Sequence, residues 1–110
     1  MEPLSEQEFE RAADATLHAL DGALSDLDAA LEVDLESGIL TLEFVDGAKY
    51  VVNSHRAARQ IWMAAERSAW HFDLDSNKNA WIASKSGDEL WATIEGVVSR
   101  KLGRPVALPR

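Results

Sequence analysis

Residues 31–53 read LEVDLESGILTLEFVDGAKYVVN, and this stretch decides the fold. Over 31–36 apolar and acidic side chains alternate, which is typical of a β-strand with one face in water. Ser37-Gly38 and Asp46-Gly47 interrupt the apolar pattern and indicate tight hairpin turns. The stretch therefore predicts three consecutive strands, at 31–36, 39–45 and 48–53.

Three more candidate strands follow a polar link over 54–59. Residues 60–64 form a short strand that places Ile61 and Met63 on one side and Gln60 and Trp62 on the other. Alternation returns over 70–74, and 81–84 form a short last strand. Connections this short do not allow parallel crossovers, so we expect a mainly antiparallel sheet of about six strands.

An amphipathic helix is predicted at each end of this run of strands. Two capping boxes mark the helix starts, Ser5 with Glu8 and Ser86 with Glu89. The first helix is predicted to run from about Ser5 to Leu27, and the second to end at Gly103. Trp70 and Trp91 fit the core, whereas the pattern leaves Trp81 open. Two helices covering one sheet face give an α+β sandwich, built as a single domain over 1–110.

Composition excludes several classes of protein. The chain has no cysteine, which excludes disulfides, thiolate zinc sites, iron–sulfur clusters ligated by cysteine, and cysteine nucleophiles. No apolar run is long enough to span a bilayer, and the first ten residues contain no Lys or Arg, so we expect neither a membrane segment nor a targeting peptide. A cytoplasmic protein is predicted.

Negative charge is concentrated in the first part of the chain. Residues 1–43 contain twelve acidic residues and one basic residue, and residues 44–110 contain seven acidic and ten basic residues. Phosphate backbones attract Lys and Arg, so the acidic part argues against a nucleic-acid partner. Metal cations or a basic protein surface suit it better.

Carboxylates recur along one face of the first helix and continue into the first strand. At about 100° per residue, those of the helix fall on one side together with His18. We call the following eight side chains the acidic ridge: Glu6, Glu10, Asp14, Asp21, Asp26, Asp28, Glu32 and Asp34. Glu36 adds one more acidic side chain to the same alternating pattern of the first strand.

Two interpretations of the acidic ridge stay open at this point. It is either a merely solvated acidic face or a surface for hard cations such as Mg²⁺, Ca²⁺, Mn²⁺ or iron. The spacing matches neither an EF-hand loop nor a His-x-x-x-His or Glu-x-x-His pair. We therefore expect weak, exposed binding of several ions, and the spacing does not name the metal.

The sequence contains no recognisable active site. His18, His55 and His71 lie on separate predicted elements, and each lacks a nucleophile at a known spacing. His71 with Asp73 is interpreted as an exposed strand pair. We predict that the protein is not an enzyme.

Trp62 is predicted to lie on the uncovered face of the sheet. If Ile61 and Met63 point into the core, Trp62 must point away from it beside Gln60, with Asn53 nearby. A solvent-facing Trp is a frequent anchor of protein interfaces. The alternative is a shifted register that buries Trp62.

Several segments resemble the frataxin family, and within it the bacterial members. The matching segments are the acidic first helix, Asp34-Leu35-Glu36 with Ser37-Gly38-Ile39-Leu40-Thr41, Asn53, Arg59-Gln60-Ile61-Trp62-Met63-Ala64, Trp70-His71-Phe72-Asp73, Trp81-Ile82 and Ser86-Gly87. The resemblance covers about residues 5–102. It implies two helices on one face of an antiparallel sheet.

The resemblance also implies a function. It implies weak binding of iron, Fe²⁺ or Fe³⁺, at the eight ridge positions, with other divalent cations possible. It further implies action in iron–sulfur cluster assembly as an iron chaperone or regulator, through contact of Asn53, Gln60 and Trp62 with the cysteine desulfurase and its scaffold protein. A monomer that can form metal-dependent oligomers is expected.

Four positions depart from the family pattern. Gly22 and Ser25 stand where bacterial relatives often have acids, and His55 and Ala57 replace a Gln and a Pro of the link. Two alternative functions stay open: an acidic protein-interaction module with incidental metal binding, and a ferroxidase. The ferroxidase would need a di-iron cage with Glu-x-x-His motifs, which the sequence lacks.

Overall fold

Six strands form one sheet in which every strand pairs with its neighbours in the chain. The computed structural model describes residues 4–109 and contains these elements: α1 (Glu6–Leu24), β1 (Leu31–Glu36), β2 (Ile39–Phe44), β3 (Lys49–His55), β4 (Gln60–Ala65), β5 (Ser68–Asp75), β6 (Ala80–Ala83) and α2 (Leu90–Leu102). All five pairings are antiparallel. The predicted six-stranded antiparallel sheet is confirmed.

Both helices pack on the same face of the sheet. Along the central strands every second side chain is buried, for example Leu40, Val52, Ile61 and Phe72. These side chains form one core with the apolar faces of α1 and α2. The other face is uncovered, so the predicted sandwich of two helices on one sheet face is confirmed.

The first helix begins as predicted and ends earlier. Ser5 Oγ accepts a hydrogen bond from the Glu8 amide, and Glu8 in return accepts one from the Ser5 amide. The helix ends at Leu24 and not near Leu27. Its last i to i−4 bond runs from the amide of the C-cap Ser25 to the Asp21 carbonyl, and the Leu27 amide then bonds to the Leu24 carbonyl only three residues back, as in a turn. Leu27 still packs on the core from the turn that follows.

The predicted capping box at the second helix is wrong. The N-cap is Glu89, whose carboxylate accepts hydrogen bonds from the amides of Trp91 and Ala92. Ser86 lies in the preceding turn, where its hydroxyl bonds to Asp88. Ser is a favoured N-cap residue and Glu is not, so the sequence favoured Ser86, and only the geometry of the turn makes Glu89 the cap.

The prediction for the tryptophans also needs correction. Trp81 is the buried one; its ring meets Phe9 edge-on at 5.9 Å, and its Nε1 donates to Thr16 Oγ1. Trp70 and Trp91 are only half-buried at the margin of the core. A large ring on a strand of four residues could not be oriented from so short an alternation. No helix among residues 4–109 has the length and apolar content needed to cross a membrane.

Candidate metal-binding ridge and docking face

The start of the acidic ridge is paired with arginines from the turn between β3 and β4. Arg56 Nε lies 2.8 Å from Glu10 Oε1, and Arg56 Nη1 lies 3.3 Å from Glu6 Oε1. Arg59 lies 3.9 Å from the second oxygen of Glu6. Glu6 and Glu10 are therefore neutralised in part by a segment far away in the sequence.

The middle of the ridge has local partners. Asp14 and His18 lie one helical turn apart, with 3.4 Å between carboxylate and Nδ1, and both are largely exposed. The Asp21 carboxylate accepts a hydrogen bond from the Ser25 hydroxyl at 3.0 Å. Neither partner is a Lys or an Arg, and within residues 4–109 no such residue pairs with these two carboxylates.

Asp28 is held by the protein itself. Its carboxylate accepts a hydrogen bond from the Ala30 amide and pairs with Arg104 at 3.0 Å. The Ala30 hydrogen bond, followed by that of Arg104, holds the pKa of Asp28 below its usual value. Asp28 therefore has fewer lone pairs to offer a cation than its neighbour Asp26, which is exposed.

Glu32 and Asp34 lie on the uncovered face of the sheet. They stand opposite Glu43 and Thr41 of β2. Glu43 was not predicted as part of the acidic ridge, although the alternation of β2 and the hairpin register together could have placed it there. Like charges directly opposite each other destabilise a strand pair. Lys49 of β3 faces Glu43 from the other side, so a cation would relieve repulsion chiefly beside Glu32.

The edge strand β1 thus divides the acidic ridge into two parts. The helical carboxylates lie in the helix layer, and the strand carboxylates lie on the opposite face of the sheet. Within residues 4–109, no Lys or Arg pairs with Asp26, Glu32 or Asp34. In the same range no three His, Asp or Glu side chains converge as a metal site would require. The surface can attract cations, and it offers them separate, open positions.

The uncovered sheet face carries a row of four side chains that crosses four strands. Ile39, Asn53, Trp62 and His71 stand directly opposite one another in the register of β2 to β5. Ile61 and Met63 are buried, at 0% and 3% exposure. Trp62 therefore lies on the open face as predicted, and the shifted register that would bury it is wrong.

Gln60 connects this row to the neighbouring strand. Its Oε1 accepts a hydrogen bond from Trp62 Nε1 at 2.8 Å, and its Nε2 donates to Asp73 at 3.1 Å. Asp73 thus contacts Gln60, and its strand neighbour His71 contacts Trp62. Both are exposed residues of β5, as predicted. Asn53 donates to the adjacent Ser54 carbonyl at 3.3 Å.

Sequence reasoning missed the partners that reach these residues from other elements. His55 and His71 stack on Trp62, and Arg56 and Arg104 pair with the ridge. The strand register could have indicated His71, which stands directly opposite Trp62. The arginines had no local signal, because their partners lie tens of residues away in the chain.

Comparison with known proteins agrees with the fold described above. Residues 2–104 match the family model described as a Frataxin-like domain. The chain belongs to the frataxin family. It is 36% identical over 102 residues to the iron-sulfur cluster assembly protein CyaY of Thioalkalivibrio sulfidiphilus, an alignment that covers 91% of this chain and 95% of the relative.

Other members of the frataxin family agree in length and fold. The CyaY protein of Cupriavidus metallidurans is 35% identical over 112 residues, covering 98% of this chain and 99% of its own. A frataxin from Psychromonas ingrahamii superposes with a TM-score of 0.86 at 24% identity, covering 96% of this chain and 99% of its own. A trimeric frataxin from Saccharomyces cerevisiae, complexed with ferrous iron, gives 0.67 at 24% identity, covering 94% of this chain and 91% of its own. The two structures share the fold.

Proposed function

We propose that this protein acts in iron–sulfur cluster assembly as an iron-binding regulator of the complex between the cysteine desulfurase and its scaffold protein. The proposal rests on one structural observation in a member of the frataxin family. The exposed carboxylates that pair with no Lys or Arg in residues 4–109 include Asp26 and, on the uncovered sheet face, Glu32 and Asp34; the same face presents Asn53, Gln60 and Trp62. Relatives of similar length are named for cluster assembly, and a structural relative was solved with ferrous iron.

The ligand chemistry of the acidic ridge supports weak and exchangeable binding of iron. Carboxylate oxygens are ligands for Fe²⁺ and Fe³⁺ as for other hard cations. Because the carboxylates do not converge, each ion keeps much of its water, and binding is weak and exchangeable. An ion held in this way can be passed to another protein.

The metal proposal is tested by anaerobic titration with Fe²⁺ followed by NMR. We expect paramagnetic broadening at Asp14, Asp21, Asp26, Glu32 and Asp34 and sharp signals along α2. Millimolar divalent cation should also raise the melting temperature, since ligands that bind the folded state stabilise it. Broadening spread evenly over the molecule, or an unchanged melting temperature, would contradict metal binding at the ridge.

The docking proposal is tested separately. Calorimetry with the desulfurase–scaffold complex should detect binding of the wild-type chain and its loss in Trp62→Ala, with an unchanged far-UV spectrum. Wild-type affinity in Trp62→Ala would show that the sheet face does not dock. Repeating the titration with Fe²⁺ present shows whether the metal changes the affinity, and sizing under the same conditions tests for a metal-dependent oligomer.

A second candidate is an acidic interaction module with incidental metal binding. The ion pairs of Arg56 and Arg104 favour it, because they show that this surface accepts guanidinium groups readily. The double substitution Asp21→Lys and Asp26→Lys separates the two candidates. Loss of desulfurase binding with unchanged iron affinity would favour the interaction module. A ferroxidase is the weakest candidate, since residues 4–109 bring no three candidate ligands together.

A further inference from the structure

Three aromatic rings are stacked across β3, β4 and β5 on the uncovered sheet face. The His55 ring lies 3.7 Å from the Trp62 ring between centroids, with 17° between the planes. The His71 ring lies 4.4 Å from Trp62, with 18° between the planes. Trp62 is the ring shared by both pairs, and near-parallel imidazole rings cover its indole.

Hydrogen bonds fix the edges of the stack. Trp62 Nε1 is bonded to Gln60, which is itself bonded to Asp73. The amide of Ala58 donates to His55 Nδ1 at 3.3 Å and so holds the edge of this ring. The indole is thus restrained by ring contacts on its plane and by a hydrogen bond at its rim.

We propose that His55 and His71 are positioning residues that hold Trp62 edge-on, so that a docking protein meets the rim of the indole and the outer imidazole faces. The inference rests on the proposed docking of this sheet face on the scaffold protein. With the indole covered in this way, a cation or ring of the partner does not stack on Trp62. The exposed apolar neighbour in the same row is Ile39, at 47% exposure. The partner surface that fits is therefore apolar where it meets Ile39 and the rim of the indole.

Positioning of this kind strengthens binding by ordering the anchor before the partner arrives. A long-lived rotamer removes the ordering cost that a free Trp side chain would meet on docking. His55 and His71 need no direct contact with the partner to have this effect. Their removal should leave the fold intact, because both rings lie outside the core.

The first test measures the stack in the isolated protein. Ring protons of His55 and His71 should resonate upfield of those of His18, because they lie over an indole ring. His18 is the matched control, an exposed histidine on α1 whose ring bonds to Asp14 of the same helix. In Trp62→Leu the two shifted histidines should move to the position of His18. Unshifted His55 and His71 signals in the wild type would overturn the proposal.

The second test measures docking on the scaffold protein. We expect the double variant His55→Ala with His71→Ala to weaken binding about tenfold. The control His18→Ala should leave binding unchanged. The double variant His55→Phe with His71→Phe should bind like the wild type, because a flat ring suffices for stacking. Wild-type affinity in the double alanine variant, or no rescue by phenylalanine, would overturn positioning. If Trp62→Ala also binds like wild type, the docking proposal itself fails.

Discussion

Arg56 Nε lies 2.8 Å from Oε1 of Glu10, so the turn between β3 and β4 is held against the first helix by an ion pair. The same guanidinium reaches Glu6 at 3.3 Å. Arg56 therefore occupies the part of the acidic ridge that a cation would otherwise reach. It follows His55 directly in the chain, which places one end of the ridge beside the stack on Trp62.

Replacing Arg56 should make the ridge a better cation binder. In Arg56→Gln, Glu6 and Glu10 lose their nearest positive charge, so the rise in melting temperature with added Mn²⁺ or Fe²⁺ should exceed that of the wild type. A tenfold gain in affinity adds about 1.4 kcal/mol at saturating cation. Without cation the change should stay within about 1 kcal/mol, since exposed ion pairs contribute little.

The matched control for Arg56 is Arg67→Gln. Arg67 is an exposed arginine of the turn between β4 and β5, and it forms no ion pair with a residue of the described range 4–109. Arg67→Gln changes the net charge by the same amount as Arg56→Gln, and the rise in melting temperature with added cation should stay at the wild-type value. Equal responses in the two variants would mean that only total charge matters and that Arg56 does not compete with cations.

Acid should destabilise the protein through carboxylates that the fold keeps ionised. Hydrogen bonds with Ser5 lower the pKa of Glu8. The pKa of Asp28 is lowered first by the hydrogen bond from the Ala30 amide and then by the one from Arg104. A hydrogen bond from Arg100 lowers the pKa of Glu66. Such groups contribute stability that is present above their ordinary pKa values, 4.5 for Glu and 3.8 for Asp. That stability is lost as the pH falls through the lower folded values.

Urea denaturation between pH 7 and pH 3 measures this loss. The free energy of unfolding should decline below about pH 4.5. Arg104→Ala should reduce the decline, because it removes one of the two hydrogen-bond donors that lower the pKa of Asp28. A decline as steep as that of the wild type would show that Arg104 does not act on this carboxylate.

A side chain at Gly38 should destabilise the fold. Its φ is +79°, and a Cβ at this position would lie 2.7 Å from Ser54 Oγ. Gly38→Ala should therefore cost about 1–3 kcal/mol in the free energy of unfolding. Gly22→Ala is the matched control, because Gly22 lies in α1 and an added Cβ there would meet no atom within 4 Å. This substitution should stabilise the protein by about 0.5–1 kcal/mol. A neutral Gly38→Ala would contradict the close approach of Gly38 and Ser54.

The fold could be predicted from sequence because it depends on local periodicity. Alternation around Leu31, Val33 and Leu35 and the glycines of two turns sufficed to give strand order and direction. The position of Trp62 followed from its buried neighbours Ile61 and Met63. These signals are all contained within a few consecutive residues.

The arrangement of the site could not be predicted to the same extent, because it depends on contacts between distant segments. Arg56 and Glu6 are separated by 50 positions, and Arg104 and Asp28 by 76. The stack on Trp62 requires the register of three strands at once. Local charge patterns therefore predicted an acidic ridge, and they could not show which of its members already have partners.

The segment after α2 should contribute to stability beyond what its sequence suggests. Leu108 is buried, at 6% exposure, and its amide donates to Glu95 at 2.7 Å. The Val106 amide donates to Ser99 Oγ at 2.9 Å, so the segment runs back along α2. Leu108→Ala should cost about 2 kcal/mol, the low end for a buried leucine, because residues 105–109 belong to no helix or strand and can relax into the space. Val45→Ala, at a side chain 81% exposed, should change stability by at most about 0.5 kcal/mol. Equal effects in urea denaturation would mean that the segment is not packed in solution.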